Sequence, residues 1–208
     1  MTSYGRPEIR RSIPWILALA VVLVATPSSA LKKKWLEAEE LFNPLLGPEY
    51  SHWLVGPIYH MATEAEVETF NNLIDDAEAE EFIAAFWKKR NEGTPPFTDT
   101  PEQVFENRAI EADKQYSEGA YPGRRTDRGT IFILYGKPND IEFETPRRVG
   151  DPTKEAWLYD DAAGEGLDGE EPKKRIRFVK VGERTVLFTG QKIRRDPREE
   201  LKRRQRSF

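Results

Sequence analysis

Four consecutive residues, Thr126-Asp127-Arg128-Gly129, bring together side chains that could do chemistry. An aspartate beside an arginine can form a polar pair at a ligand cleft, and Asp127 could serve as the carboxylate of a hydrolase. The same residues also have a backbone use. Asp and Thr side chains accept nearby N–H groups as Asx- and ST-turns, and a glycine at 129 supplies a φ that other residues resist. They stand just ahead of the apolar run TIFILY, residues 130–135, which reads as a strand buried on both faces. On that reading Thr126 and Asp127 cap strand-entry amides, and Arg128 lies beside a carboxylate of the acidic helices. Turn chemistry accounts for all four residues, so the tetrapeptide is read first as a motif that shapes the backbone and second as a binding motif.

Other chemistry is weakly signalled. YGKPND, residues 135–140, has one glycine and no Ser or Thr after Lys137, so it reads as a β-turn between strands and not as a phosphate loop. The only histidines are His52 and His60, eight apart, and there is no cysteine, which argues against zinc. YDDAAGEGLDGEEP, residues 159–172, has carboxylates enough for calcium but not the EF-hand spacing, and reads as a solvated acidic loop. No nucleophile-elbow pattern, cysteine nucleophile or specific Ser/His pairing stands out. No catalytic residue, cofactor or metal is expected.

Composition sets the surroundings. Residues 1–30 carry Arg6, Arg10 and Arg11 against Glu8, then an uncharged apolar run of about 11 residues, then Ser28 and Ala30 at small-residue positions. That is the layout of a signal peptide cleaved after Ala30, and the run is short of the roughly 20 residues that span a bilayer. An uncleaved anchor is the alternative. Absence of cysteine leaves stability to the core alone. Residues 191–208 hold eight basic and three acidic side chains, a net of +5. With a leader of +2 and a whole chain of −4, residues 31–190 carry −11. An acidic body excludes nucleic acid as the main ligand, while the basic tail allows peripheral contact with an anionic membrane.

The elements that must position these residues follow from period and caps. LKKKWLEAEELF, residues 31–42, suits a short amphipathic helix that ends before Pro44. Residues 43–62, with three prolines and two glycines, wrap across the core. Thr63 and Glu66 form a capping box for a helix presenting Val67, Phe70 and Ile74. Asp75 or Asp76 caps a second helix bearing Phe82, Ile83, Phe86 and Trp87. Thr100-Pro101-Glu102-Gln103 opens a third, with Phe105, Ala109, Ala112 and Tyr116 on one side. The period then changes to two, giving strands at TIFILY, DIEFET, KEAWLYD, RIRFVKV and TVLFTG, the last two joined at Gly182-Glu183. The fold class is α+β, with N-terminal helices packed on one face of a mainly antiparallel sheet of about five strands.

Three stretches carry a resemblance: FWKKRNEGTP (86–95), TPEQVFENR (100–108) and GRRTDRGTIFILYGKPNDIE (123–142) with the later WLY (157–159). Together they resemble the GWxTD-domain family of exported bacterial proteins, over roughly residues 50 to 190. Matching positions are Gly123, Thr126, Asp127, Arg128, Gly129, Tyr135, Gly136 and Pro138. Arg124 stands where the family has its name-giving tryptophan, and Asn91 where an aspartate usually follows the FWxxR arginine. The resemblance implies a secreted or envelope-associated domain, with no established activity and therefore no catalytic residue to transfer. The expected organisation is a signal peptide over 1–30, a GWxTD-like domain over 31–190 and a basic tail over 191–208. The expected role is a noncatalytic binding module with a protein partner in the cell envelope; the alternative is a carboxylate-dependent hydrolase using Asp127. Protein recovered from an exporting host should begin at Leu31 on N-terminal sequencing, and an intact Met1 in membrane-pelleted material would instead mark an anchor.

Overall fold

The computed structural model describes residues 41–146 and 151–189; the expected leader, the bulk of the 31–42 helix and the basic tail lie outside them. Five helices precede four strands among the described residues: α1 (Pro57–Met61), α2 (Glu64–Asn71), α3 (Asp76–Asn91), α4 (Pro101–Gln115), α5 (Asp127–Tyr135), β1 (Asp140–Glu144), β2 (Lys154–Leu158), β3 (Arg175–Val181) and β4 (Arg184–Leu187). A 3₁₀ turn, Gly123–Arg125, leads into α5. The class is α+β, and the sheet is antiparallel in the order β1-β2-β3-β4.

Helix starts follow their caps. Thr63 and Glu66 close a reciprocal box at α2, and Thr100 and Gln103 another at α4, where Pro101 occupies the first turn. Asp75 accepts the Glu78 N–H to open α3. Phe86 and Trp87 of α3 are buried, with Phe82 and Ile83 packed against the core from its margin. Ile74 is exposed, because α2 stops at Asn71 and the turn rotates it out of the apolar face. Residues 43–62 do wrap over the core, burying Leu46, Leu54, Val55, Ile58 and Met61.

The largest departure from expectation is TIFILY. It is helical, and the sheet has four strands among the described residues where the alternating segments predicted about five. Its β-branched residues favour a strand, but six apolar residues in a row cannot be told from a buried helix by period. Tertiary placement decides. Residues Gly129 to Leu134 are all buried, and α5 runs between α1, α4 and the edge of β4, so an apolar surface all round is what its position requires. YGKPND accordingly connects a helix to a strand: Gly136 ends α5 with φ 79° and donates its N–H to the Phe132 carbonyl. Arg108 reaches from α4 to the Ile133 and Leu134 carbonyls, satisfying two acceptors at that terminus.

One sheet face is the core face. Trp157, Ile176 and Phe178 point into it, and Tyr116 meets the Trp157 ring from the helical side, with Phe132 against Tyr116. On the opposite face Arg175 bonds Glu142 and Glu144, and Arg177 bonds Glu144, across the intervening strand β2. Ala156 is small enough to lie under that bridge, which explains a fully buried residue on the outer face. Gly182 turns the β3–β4 hairpin with φ 64°.

Arg90, at the end of α3, ties three segments together. Its guanidinium bonds the Met61 carbonyl at 2.7 Å and Glu66 at 2.8 Å, and lies 3.3 Å over the Phe86 ring. Burial would raise the Glu66 carboxyl, but bonds from Arg90, the Thr63 N–H and Lys89 outweigh it and hold Glu66 at about 2, against an ordinary 4.5. Because the folded value is depressed, the stabilisation is full above about pH 4.5 and is lost as pH falls toward 2. Its upper size is about 3 kcal/mol. Urea midpoints of the parent should therefore fall more steeply between about pH 5 and pH 2 than those of Glu66→Gln.

Candidate functional site

The tetrapeptide sits at the start of α5, where Gly123, the 3₁₀ turn and the end of α4 converge. Thr126 is the N-cap: its Oγ1 accepts the Gly129 N–H at 3.1 Å and donates to the Gly123 carbonyl at 2.9 Å. Glycine is required twice for closeness. A Cβ on Gly123 would fall on the Ala112 carbonyl of α4, and a Cβ on Gly129 would fall on the Gly123 carbonyl. The backbones of α4, the turn and α5 thus stack with no side chain between them.

Asp127 reaches across to the sheet. Its Oδ2 accepts the Leu187 N–H of β4 at 2.6 Å, sixty residues on. Arg128 donates to Glu118 at 2.8 Å and to Glu155 at 3.3 Å, and stands 5.7 Å from the Tyr116 ring centroid. Its carboxylate partners come from the loop after α4 and from β2, not from the acidic helices. Glu118, a nearly buried carboxylate, also accepts the Thr185 N–H at 2.8 Å, and Glu155 accepts the Trp157 indole N–H at 2.7 Å. Arg128 Nε is buried and makes no hydrogen bond.

The geometry has a clear reading. β4 is an edge strand whose even-numbered residues bond β3, as the Phe188 N–H to Arg177 carbonyl bond at 2.7 Å shows, so the N–H groups of Thr185 and Leu187 point outward. Glu118 and Asp127 accept those two donors in turn. Two residues of strand span about 7 Å, which places the carboxylates at a separation that glycosidase pairs use. Here each carboxylate is taken up by a backbone N–H on the same edge of the protein's own strand. The sequence reading missed Glu118 and Glu155, because nothing in their spacing distinguishes them among 36 acids.

Arg124, in the tryptophan position of the resemblance, is bound on the surface of α4. Its N–H and Nε bond the Asp113 carboxylate at 2.8 and 2.7 Å. Asn91 spans α3 and α4, donating to Glu102 at 2.8 Å while its carbonyl accepts the Glu102 N–H; an aspartate there could accept but not donate.

Elsewhere, Ser51 lies 3.0 Å from His52 Nδ1, but Ser51 is 3% exposed and no substrate could reach its hydroxyl. The acidic loop is less solvated than expected. The Tyr135 hydroxyl donates to Asp168 at 2.7 Å, Leu167 donates to the Leu134 carbonyl, and burial pushes both the Tyr135 and Asp168 pKa values up. A polar groove of about 830 Å³ opens beside Glu142, Glu144, Asp151, Lys154, Arg175 and Arg177, and no residue of the tetrapeptide lines it. Among the described residues no group of three or more His, Asp or Glu is placed to hold a metal ion, and no helix is long and apolar enough to cross a membrane.

These features define a small α+β domain organised around a glycine-threonine-aspartate turn between two helices. The GWxTD domain model matches residues 38–180, and the chain belongs to that family. Comparison with curated proteins and with solved structures returns no match.

If Asp127 acts as the strap described, Asp127→Ala should cost about 1–3 kcal/mol in urea unfolding and Asp127→Asn, which keeps an acceptor, about 1 kcal/mol. Amide exchange at Leu187 should accelerate in the alanine variant first, since that donor loses its partner. Unchanged exchange there would remove the strap.

Proposed function

We propose that the chain is an exported, noncatalytic interaction module of the bacterial cell envelope that binds a protein partner. One observation carries the noncatalytic part. Each polar side chain of the motif is engaged in holding the fold: Thr126 caps α5, Asp127 holds Leu187, and Arg128 is clamped between Glu118 and Glu155. A catalytic acid/base pair needs a cleft that admits substrate between its members. Asp127 and Glu118 instead lie along the outer edge of β4, each taken up by one of its N–H groups. The hydrolase reading of Asp127 therefore loses its motive, although the carboxylate spacing alone would have suited it.

Export rests on the leader pattern of residues 1–30 and on the family resemblance. Peripheral membrane contact through residues 191–208 rests on their charge, since each basic residue near an anionic surface contributes about 1 kcal/mol. The −11 carried by residues 31–190 opposes nucleic acid as a ligand.

Purified protein should show no turnover on generic ester, peptide, phosphate and glycoside substrates. Turnover on any of them that vanishes in Asp127→Ala, with the fold intact by near-UV circular dichroism, would replace the module reading with the hydrolase. On the positive side, affinity capture from the native envelope should return one stoichiometric protein.

A further inference from the structure

The two edges of the sheet are treated differently. At β4 the outward N–H groups are sealed by Glu118 and Asp127. At the other edge, β1, the ladder turns the even-numbered residues toward β2, because Tyr159 bonds Lys174 and sets the phase of the whole sheet. Ile141 and Phe143 therefore direct their N–H and C=O groups away from the sheet. The Ile141 N–H is taken by the Asp140 carboxylate at 2.8 Å, while among the described residues nothing accepts the Phe143 N–H. The side chains of these two residues project on the core face beyond the helices, with Phe143 70% and Ile141 42% exposed. Asp140, Glu142 and Glu144 occupy the other face of the same strand.

We infer that β1 is a docking edge for an extended segment of a partner protein, one that alternates basic and apolar residues. This rests on the interaction-module reading and names the surface it would use. An added strand gains main-chain bonds at Ile141 and Phe143, and its side chains alternate between the two faces. Those on the core side extend the apolar step of Ile141 and Phe143. Those on the outer side meet three acids, of which Glu142 and Glu144 bond Arg175 and Arg177 across the sheet, whereas Asp140 has no arginine or lysine partner among the described residues. The same row of acids disfavours a second copy of this chain. In the symmetric antiparallel pairing centred on Glu142, that residue would face itself and Asp140 would face Glu144, and like charges directly opposite destabilise a sheet.

The test uses full-length protein and a capped synthetic peptide of alternating Lys and Val. Two controls are its block isomer, with the same residues segregated, and a Glu/Val version. The alternating peptide should bind at least about tenfold tighter than either control, and slow exchange of the Phe143 amide by about tenfold. Phe143→Pro removes the outward donor without touching a β1–β2 ladder bond, and should abolish binding with the fold retained. Asp140→Lys should weaken it while leaving Phe143 in place. Equal binding of the block isomer, protection that appears at β4 instead, or undiminished binding by Phe143→Pro would overturn the inference. So would a wild-type dimer that Phe143→Pro dissociates. A captured envelope partner that still binds Phe143→Pro would overturn the edge alone and leave the module intact, whereas Asp127-dependent turnover would overturn the module itself.

Discussion

Everything near the motif depends on one steric constraint: two glycines that let three stretches of backbone touch. Gly123 rests on the Ala112 carbonyl and Gly129 on the carbonyl of Gly123. With any Cβ at either place α5 would have to move away from α4. The consequences run outward from there. Close approach brings Gly123 within reach of Ser117, whose hydroxyl accepts its N–H at 3.0 Å, and places Thr126 to cap the helix it precedes. It also fixes the direction of α5, so that Asp127 and Arg128 in its first turn face β4 and β2. Packed backbone is poorly compressible, so a small shift at the glycines would be felt at the sheet.

The sheet in turn depends on what α5 and its leading loop present to it. An edge strand as short as β4, with four residues, offers unpaired donors that water or another chain could take. Carboxylates from Glu118 and Asp127 take them instead, and Arg128 orients Glu118 while its other arm holds Glu155. This is a polar network closed on itself, one buried Nε aside. Buried networks of that kind specify a unique arrangement when satisfied and are costly when broken. Here the network specifies where the helical layer meets the last hairpin.

How much of this could be read from residues alone differs by element. Capping boxes at Thr63 and Thr100 and the cap at Asp75 were readable, because each uses side chains three positions apart and needs no tertiary partner. The four strands from DIEFET onward were readable from alternation. TIFILY was not, since burial on all sides erases the period that separates helix from strand. Yet the cap signal was present: Thr126 stands three residues before Gly129, and the first turn of α5 begins there. A glycine in place of Glu or Gln at that third position removed the reciprocal half of the box. The role of Asp127 could not be read at all, because its partner is sixty residues away. The family resemblance was readable for the opposite reason: it rests on residue identities within short stretches of chain and needs no distant partner.

That last point bears on what a dense motif means. A cluster of Gly, Thr, Asp and Arg invites a catalytic reading, because the same residue types build active sites. The distinguishing question is where their hydrogen bonds go. In an active site some of them point at a space that substrate fills; here those resolved for Thr126, Asp127 and Arg128 end on Gly123, Gly129, Leu187, Glu118 and Glu155. Arg124 follows the same logic. Its position lies on the flank of α4, bonded to Asp113, so the side chain there stiffens the turn from outside while the glycines set its shape from within. A motif that spends its polarity internally leaves recognition to surfaces that carry no motif. On such surfaces only alternation, charge and an open backbone donor are available to select a partner, and β1 offers all three.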